Sequence, residues 1–194
     1  MFIRRIMDIF EGRITSCGFS SGDRLVIGIW KKSPFGDFAD IMWAKSDGTK
    51  ILIAPNNEIG DYISSMYNFD IIKIEEIKLE ERKNMIKLET EDIHCHFEWN
   101  KGIPFIIKKR PLWFVASIEY LFGWLIFRTK TYGKTKDGKK EWYVVDRLSK
   151  LTLAKAFIGD KNLGDFTDFY PKANFGFSDP PKMPSSVLVR SHIE

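Results

Sequence analysis

One aspartate in this chain stands in an otherwise apolar stretch, and its surroundings suggest a binding site. Asp40 belongs to the run Phe38-Ala39-Asp40-Ile41-Met42. Side chains of an extended chain alternate between two faces, so Phe38, Asp40 and Met42 share one face. A carboxylate on an apolar face is hydrogen-bonded, paired with a charge or part of a polar pocket, because burying it alone costs free energy.

The flanking segments favour the pocket. Leu25–Trp30 and Ile51–Ile53 are apolar runs typical of central strands, so the strand between them is not expected at a wet edge. We predict that Asp40 points into the interior and is the principal polar group of a ligand pocket. A paired or solvated aspartate is the alternative. The other ligand-binding residues that we predict are Phe38, Met42 and Trp30.

Two histidines alternate on a later segment. His94 and His96 are two residues apart, a spacing that puts two imidazoles on one face of a strand, with Asp92 and Glu98 beside them. The sequence assigns no further ligand, and a half-exposed strand has the same alternation. His94 and His96 are therefore weak candidates, and we predict neither a metal site nor a cofactor.

No catalytic motif is present. The chain has no Gly-rich phosphate loop, no GxSxG elbow and no HExxH helix. Cys95 falls on the face opposite the two histidines. Lys108 and Lys109 follow an apolar run, where a desolvated lysine could act as a Schiff-base nucleophile, but a basic surface cluster before a helix is the favoured interpretation because lysine is seldom buried. We predict no catalytic residue, and the sequence leaves open whether the protein is an enzyme.

Composition indicates a single globular domain over residues 1–194. Hydrophobic residues make up 44% and charged residues 29% of the chain, and 16 Phe and 6 Trp suit a large interior or an aromatic cavity. The net charge of +4 is too small to argue for nucleic acid. Two cysteines without a CxxC pair, and an N-terminus without a signal-peptide core, predict a cytoplasmic protein.

Alternating apolar segments with turn signals between them predict mainly strands. Ser46-Asp47-Gly48 is the turn of a hairpin, and Asn56 and Asn57 are both good N-cap residues for a helix over Glu58–Met66. A shift of alternation at Glu75-Glu76 predicts a bulge inside a meander over Phe69–Glu98. The predicted fold is β-rich α+β: a mostly antiparallel, closed or nearly closed β-barrel with two or three helices. Further strands are predicted over Arg13–Phe19, Glu141–Arg147, Leu151–Phe157 and Ser186–Ile193.

The most hydrophobic segment is Pro111–Phe127, which begins with a proline suited to a helix start. It is near the lower length limit for a bilayer span, and Glu119 near its middle would be costly in lipid. We predict a helix without a transmembrane role. It either packs on the barrel or docks on a partner or a membrane surface.

Three stretches resemble the acetoacetate decarboxylase-like superfamily: Pro34–Met42, Glu58–Leu79 and Leu151–Ile193. The resemblance implies a cone-shaped β-barrel with an internal cavity, and it puts Asp40 at the family's acidic position. The decarboxylases carry a Gly-aromatic-Pro-Lys element that supplies a Schiff-base lysine. Ile59–Ile74 lacks that element, and its one lysine, Lys73, lacks the expected context. The resemblance therefore implies the fold without the decarboxylase chemistry. The SPFGxFxD stretch also resembles short prokaryotic proteins and implies no function.

The leading functional hypothesis is a protein that binds a small organic molecule in an interior aromatic pocket, as a non-decarboxylating relative of those enzymes. The alternative is a non-enzymatic interaction protein that docks to a partner or membrane surface through residues 111–127. The sequence leaves homo-oligomerisation open.

Overall fold

The computed structural model describes residues 7–104, 111–112 and 130–194. Strands dominate these residues. The strands are β1 Asp8–Phe19, β2 Arg24–Lys32, β3 Phe38–Ala44, β4 Lys50–Ala54, β5 Ile71–Ile74, β6 Lys78–Arg82, β7 Met85–Glu89, β8 Ile93–Trp99, β9 Ile103–Pro104, β10 Tyr132–Lys134, β11 Lys140–Ile158, β12 Lys161–Asn162, β13 Phe166–Thr167 and β14 Ser185–Ile193, and the helix is α1 Asn57–Met66.

The strands form one strongly curled sheet that stays open. Its order runs β5-β4-β3-β2-β1-β14-β11-β8-β7-β6, so β5 and β6 are its two edges. The sheet is mostly antiparallel as predicted, with β4 and β5 parallel. The predicted closed or nearly closed barrel is wrong. The edge strand β6 carries the charged sequence KLEER, and charged side chains oppose further strand pairing.

The predicted bulge at Glu75-Glu76 is also wrong, because the strands on either side of it lie at opposite edges of the sheet. The chain leaves the sheet after Ile74 and re-enters at the opposite edge with Lys78. Only β6, β7 and β8 form the meander. Local alternation cannot distinguish a bulge from a crossover, because both shift the phase of the pattern.

The two predicted strands over 141–147 and 151–157 are one long strand, β11. Its first half pairs with β14 and its second half with β8. The register shifts at Val145/Arg147 and at Leu151/Leu153 let this strand bend from one arm of the sheet into the other. Bending of β11 therefore produces much of the curl.

The largest core fills one face of the curled sheet. It joins Ile27 of β2 and Ile41 of β3 to Leu88 of β7 and Phe97 of β8, all of them without solvent exposure. The opposite face of β1–β4 carries separate clusters that pack against α1 and against the C-terminal segment around Phe175. Asp40 lies on this second face, with Phe38 and Met42 as its alternation predicts.

Helix α1 begins at Asn57, one residue before the predicted start, and ends at Met66 as predicted. Asn56 is the N-cap, and its Oδ1 accepts a hydrogen bond from the backbone N–H of Ile59 at 2.9 Å. Ile59, Ile63 and Met66 are buried against the sheet. The expectation of two or three helices is corrected to one among the described residues. Apart from Pro111 and Leu112, the predicted helix over 111–127 lies outside that part of the chain.

No helix in the described ranges has the length and hydrophobicity needed to cross a bilayer.

Candidate functional site

A cavity of about 60 Å³ lies between α1 and the face of the sheet that carries Asp40. Aromatic and aliphatic side chains form most of its wall, and two carboxyl groups are the charged groups in it. It is lined by Phe10, Ile14, Val26, Gly28, Trp30, Phe38, Asp40, Met42, Tyr62, Ile63, Met66, Tyr67, Glu141, Tyr143, Ser191 and Ile193.

The first carboxyl group is Asp40, which is 2% exposed. Its Oδ1 accepts a hydrogen bond from Nε1 of Trp30 at 2.9 Å. Burial raises the pKa of Asp40 from 3.8 to about 6, although the bond from Trp30 acts in the opposite direction. The described residues provide no hydrogen-bond partner for its other oxygen, Oδ2.

Gly28 makes the arrangement of Asp40 and Trp30 sterically feasible. It stands directly opposite Asp40 in the register between β2 and β3. A Cβ atom at residue 28 would lie 2.3 Å from Oδ1 of Asp40 and 2.8 Å from Nε1 of Trp30. Any larger side chain would therefore displace the hydrogen-bonded pair.

The second carboxyl group, Glu141, is 1% exposed and belongs to a hydroxyl cluster. Ser191 donates its hydroxyl to Oε1 at 2.8 Å, and Tyr67 donates to Oε2 at 2.7 Å. The hydroxyl of Tyr143 lies 2.8 Å from that of Tyr67. Either tyrosine can be the donor in this hydrogen bond, because each hydroxyl group both donates and accepts.

Burial raises the pKa of Glu141, and the hydrogen bonds from Tyr67 and Ser191 lower it. The same burial, together with the charge of Glu141, holds the pKa values of Tyr67 and Tyr143 well above their ordinary values. The two phenols therefore remain protonated donors at physiological pH. The cluster is a fixed chain of hydroxyl groups that ends on a buried carboxyl group.

Four elements bring the two carboxyl groups to one cavity. β3 carries Asp40, β11 carries Glu141, and β14 lies between β11 and β1. Ser191 of β14 stands opposite Tyr143 of β11 on one side and opposite Phe10 of β1 on the other. Tyr67, the C-cap residue of α1, reaches Glu141 from the helix.

Aromatic rings surround Trp30 and cover the cavity. The ring of Phe10 meets the Trp30 ring edge-on at 5.5 Å between centroids and meets Phe38 in the same way at 6.4 Å. Tyr62 of α1 packs on Phe10 at 5.7 Å, and its hydroxyl donates to Asp8 at 2.7 Å. These contacts fix the wall through packing and leave few polar groups inside it.

The structure places all four residues of the predicted pocket, Asp40, Phe38, Met42 and Trp30, along this cavity. Sequence reasoning missed Glu141 and its hydroxyl partners. The one sequence feature that points to Glu141 is the alternation within EWYVVDR, which puts Glu141, Tyr143 and Val145 on one face of the strand. Nothing local pairs that strand with β14 or places Tyr67 beside it.

The predicted metal candidates stand apart from the cavity. His94 is exposed, and Nε2 of His96 lies 3.1 Å from Oε1 of Glu98 on β8. Within the ranges that the structure describes, no three His, Cys, Asp or Glu side chains are grouped to hold a metal ion. Lys73 contacts Asp92 and does not line the cavity, and Lys108 and Lys109 lie outside the described residues.

Comparison with known proteins yields structural matches. No protein-family model matches the chain, and no curated protein matches it in sequence. The acetoacetate decarboxylase of Legionella pneumophila subsp. pneumophila str. Philadelphia 1 is similar with a TM-score of 0.45 and 10% identity, over 96% of this chain and 84% of that chain.

A second solved structure, from structural studies of acetoacetate decarboxylase, is similar with a TM-score of 0.51 and 11% identity, over 97% of this chain and 87% of that chain. At a sequence identity this low, structural similarity indicates a shared fold and does not indicate a shared activity. The resemblance predicted from the sequence is confirmed at that level: this chain has a distant likeness to the acetoacetate decarboxylase fold.

Proposed function

We propose that the protein binds a small organic molecule in the cavity between α1 and the sheet. The observation that carries this proposal is the position of Asp40: its carboxyl group is 2% exposed, borders a cavity and receives a hydrogen bond from just one side chain, Trp30, among the described residues. A buried carboxyl group with one oxygen unused is destabilising in an ordinary core. Such groups are more frequent at functional sites, where a ligand supplies the missing contact.

The wall of the cavity supports the same function. Small-molecule sites are concave, mainly apolar and provided with a few polar groups that orient the ligand. Here aromatic rings form the apolar part, while Asp40 and the Glu141 cluster form the polar part. Tyr67, Tyr143 and Ser191 hold Glu141 in one position, so the site is organised before a ligand enters.

The described lining of the cavity lacks the group on which decarboxylation through a Schiff base depends. That chemistry requires a lysine whose amine reaches the substrate carbonyl. The described residues that line the cavity include two carboxyl groups but no lysine. The protein that we propose is therefore a binding protein with a decarboxylase-like fold, in which acidic groups and hydroxyl groups contact the ligand.

The test is a ligand-observed NMR screen of small organic cations, neutral molecules and anions against the wild-type protein and two variants. Val26→Ile adds one methylene inside the cavity, and Val144→Ile adds the same group to a buried position elsewhere. We expect at least one class of molecule to bind the wild type, with affinity reduced about fivefold or more in Val26→Ile because the cavity shrinks. Val144→Ile should bind like the wild type. The absence of binding to the wild type in all three classes would contradict the proposal.

A further inference from the structure

We propose that the molecule held in this cavity is a small organic ammonium ion, whose charge is balanced by Asp40 and Glu141 and whose carbon atoms pack on the aromatic wall. This inference rests on the proposed function and specifies its ligand class.

The charge inventory of the cavity supports a cation. Asp40 and Glu141 both line it, and the described residues around it include no Lys, Arg or His. Lys139 approaches only the ring of Tyr62, at 4.8 Å, and its Nζ pairs with Asp137 at 3.1 Å. Among the described residues the two buried carboxyl groups therefore lack a protein cation, and buried charges normally require one.

The described residues that line the cavity with Asp40 carry no positive charge. On β2 Asp40 faces Gly28 and Trp30, and α1 contributes Tyr62 and Tyr67 as titratable groups. β11 contributes Glu141 and Tyr143, whereas β1 and β14 contribute side chains without charge. The pKa values of Asp40 and Glu141 are raised because their charges are buried, so a bound cation would favour the ionised form of both.

The aromatic wall favours the same ligand class. Faces of Trp, Tyr and Phe rings attract cations, with Trp the strongest, and aromatic cages with acidic groups are a recurring way to hold ammonium ions. Trp30, Phe10 and Tyr62 form one packed group beside the carboxyl group of Asp40. An anionic ligand would instead meet two carboxyl groups and no positive partner.

The volume limits the ligand to a small one. The cavity of about 60 Å³ exceeds the roughly 10–15 Å³ that a single water molecule requires, so it has room for a few water molecules or one small organic molecule. A molecule of about three non-hydrogen atoms fits that space, and even the most efficient ligand of this size reaches a Kd of only about 0.5 mM. Ethylammonium has this size, and ethanol is its neutral analogue.

The experiment is an NMR titration of the full-length protein with ethylammonium, ethanol and acetate between about pH 5 and pH 7, a range in which an alkylammonium, like a lysine side chain, remains charged. The test variant is Asp40→Asn. The matched control is Asp23→Asn, because Asp23 is also buried and accepts a hydrogen bond from a tryptophan, Trp43, at 2.9 Å, but it does not line the cavity. Glu141→Gln serves as the second test variant.

We expect ethylammonium to bind the wild type in the millimolar range, with an affinity that rises about tenfold from pH 5 to pH 7 as Asp40 ionises. Asp40→Asn and Glu141→Gln should each weaken binding about tenfold or more at pH 7, and Asp23→Asn should bind like the wild type. Equal or tighter binding of ethanol or acetate would overturn the inference, as would undiminished binding in Asp40→Asn. If another class from the screen binds and ethylammonium does not, this inference fails while the proposed function stands. If nothing binds, both fail.

Discussion

At the scale of single residues, the chain contains two similar aspartate–tryptophan pairs on opposite faces of one sheet. Trp43 donates to Asp23, and Ser21 also donates to Asp23, at 2.8 Å. Trp30 donates to Asp40, and no second donor reaches it from the described residues. The pairs therefore differ in that Asp40 has one fewer donor among the described residues and borders the cavity, so we propose Asp40 as a ligand contact and regard Asp23 as a structural group.

Asp40→Asn should stabilise the protein at alkaline pH. The folded protein holds the Asp40 proton more tightly than the unfolded chain does, because the pKa rises from 3.8 to about 6 on folding. The contribution of Asp40 to the free energy of unfolding is therefore fully present below about pH 4. It is lost as the pH rises through about 6, and the total loss is about 3 kcal/mol. Asparagine retains the acceptor for Trp30 without the buried charge.

Urea unfolding as a function of pH measures this prediction. We expect the free energy of unfolding of Asp40→Asn to exceed that of the wild type by up to about 3 kcal/mol at pH 8 and to match it within about 1 kcal/mol at pH 4. A variant that is less stable than the wild type at pH 8 would show that the charge of Asp40 is compensated in the folded protein.

At the scale of secondary-structure elements, α1 is the wall that closes the cavity over the sheet. Its side chains Tyr62, Ile63 and Met66 line the cavity, and Tyr67 at its C-cap holds Glu141. Its N-terminus depends on the side chain of Asn56, which caps the first turn. The stability of this helix therefore determines how well the site is formed.

Asn56→Ala should lower the free energy of unfolding by about 1 kcal/mol, because it removes the N-cap hydrogen bond from the backbone N–H of Ile59. Asn57→Ala is the matched control, since Asn57 is exposed and lies inside the first turn. Thermal unfolding of both variants measures the difference. An equal loss of stability in the two would contradict the assignment of Asn56 as the cap.

Local patterns allowed most of these elements to be predicted. The hairpin of β3 and β4 with its turn at Gly48, the cap of α1, and the shared face of Phe38, Asp40 and Met42 each depend on adjacent residues. Glu141 could not be recognised as part of the site, because its partners Tyr67 and Ser191 are distant along the chain. Sequence periodicity identifies a face and cannot identify what covers it.

At the scale of the whole molecule, the two arms of the open sheet are joined by a shared core and by ion pairs. Nζ of Lys31 at the end of β2 lies 2.5 Å from Oε2 of Glu81 on β6, and Lys73 of β5 pairs with Asp92 before β8. Ion pairs this exposed contribute little, so the core that joins both arms provides most of the stability. The number of short strands favours a closed barrel, but that number does not determine whether the two edges of the sheet meet.

Leu88→Ala tests whether both arms unfold together. Leu88 has no solvent exposure and belongs to the core that also contains Ile27 and Ile41 of the other arm. We expect the free energy of unfolding of Leu88→Ala to fall by about 2–5 kcal/mol. Urea unfolding should still show a single transition with an unchanged m value. Leu188→Ala, at a position that is 37% exposed, is the control and should cost far less. Two separate transitions would contradict a common core.

The most direct test of the central claim is a methyl NMR spectrum recorded with and without the best ligand from the screen. The account predicts that shift changes concentrate on methyl groups of the cavity: Ile14, Val26, Met42, Ile63, Met66 and Ile193. The methyl groups of Ile27, Ile41 and Leu88, buried on the other face of the sheet, should not shift. Changes centred on that second group, or on the surface with the cavity unaffected, would contradict the claim that this cavity is the binding site.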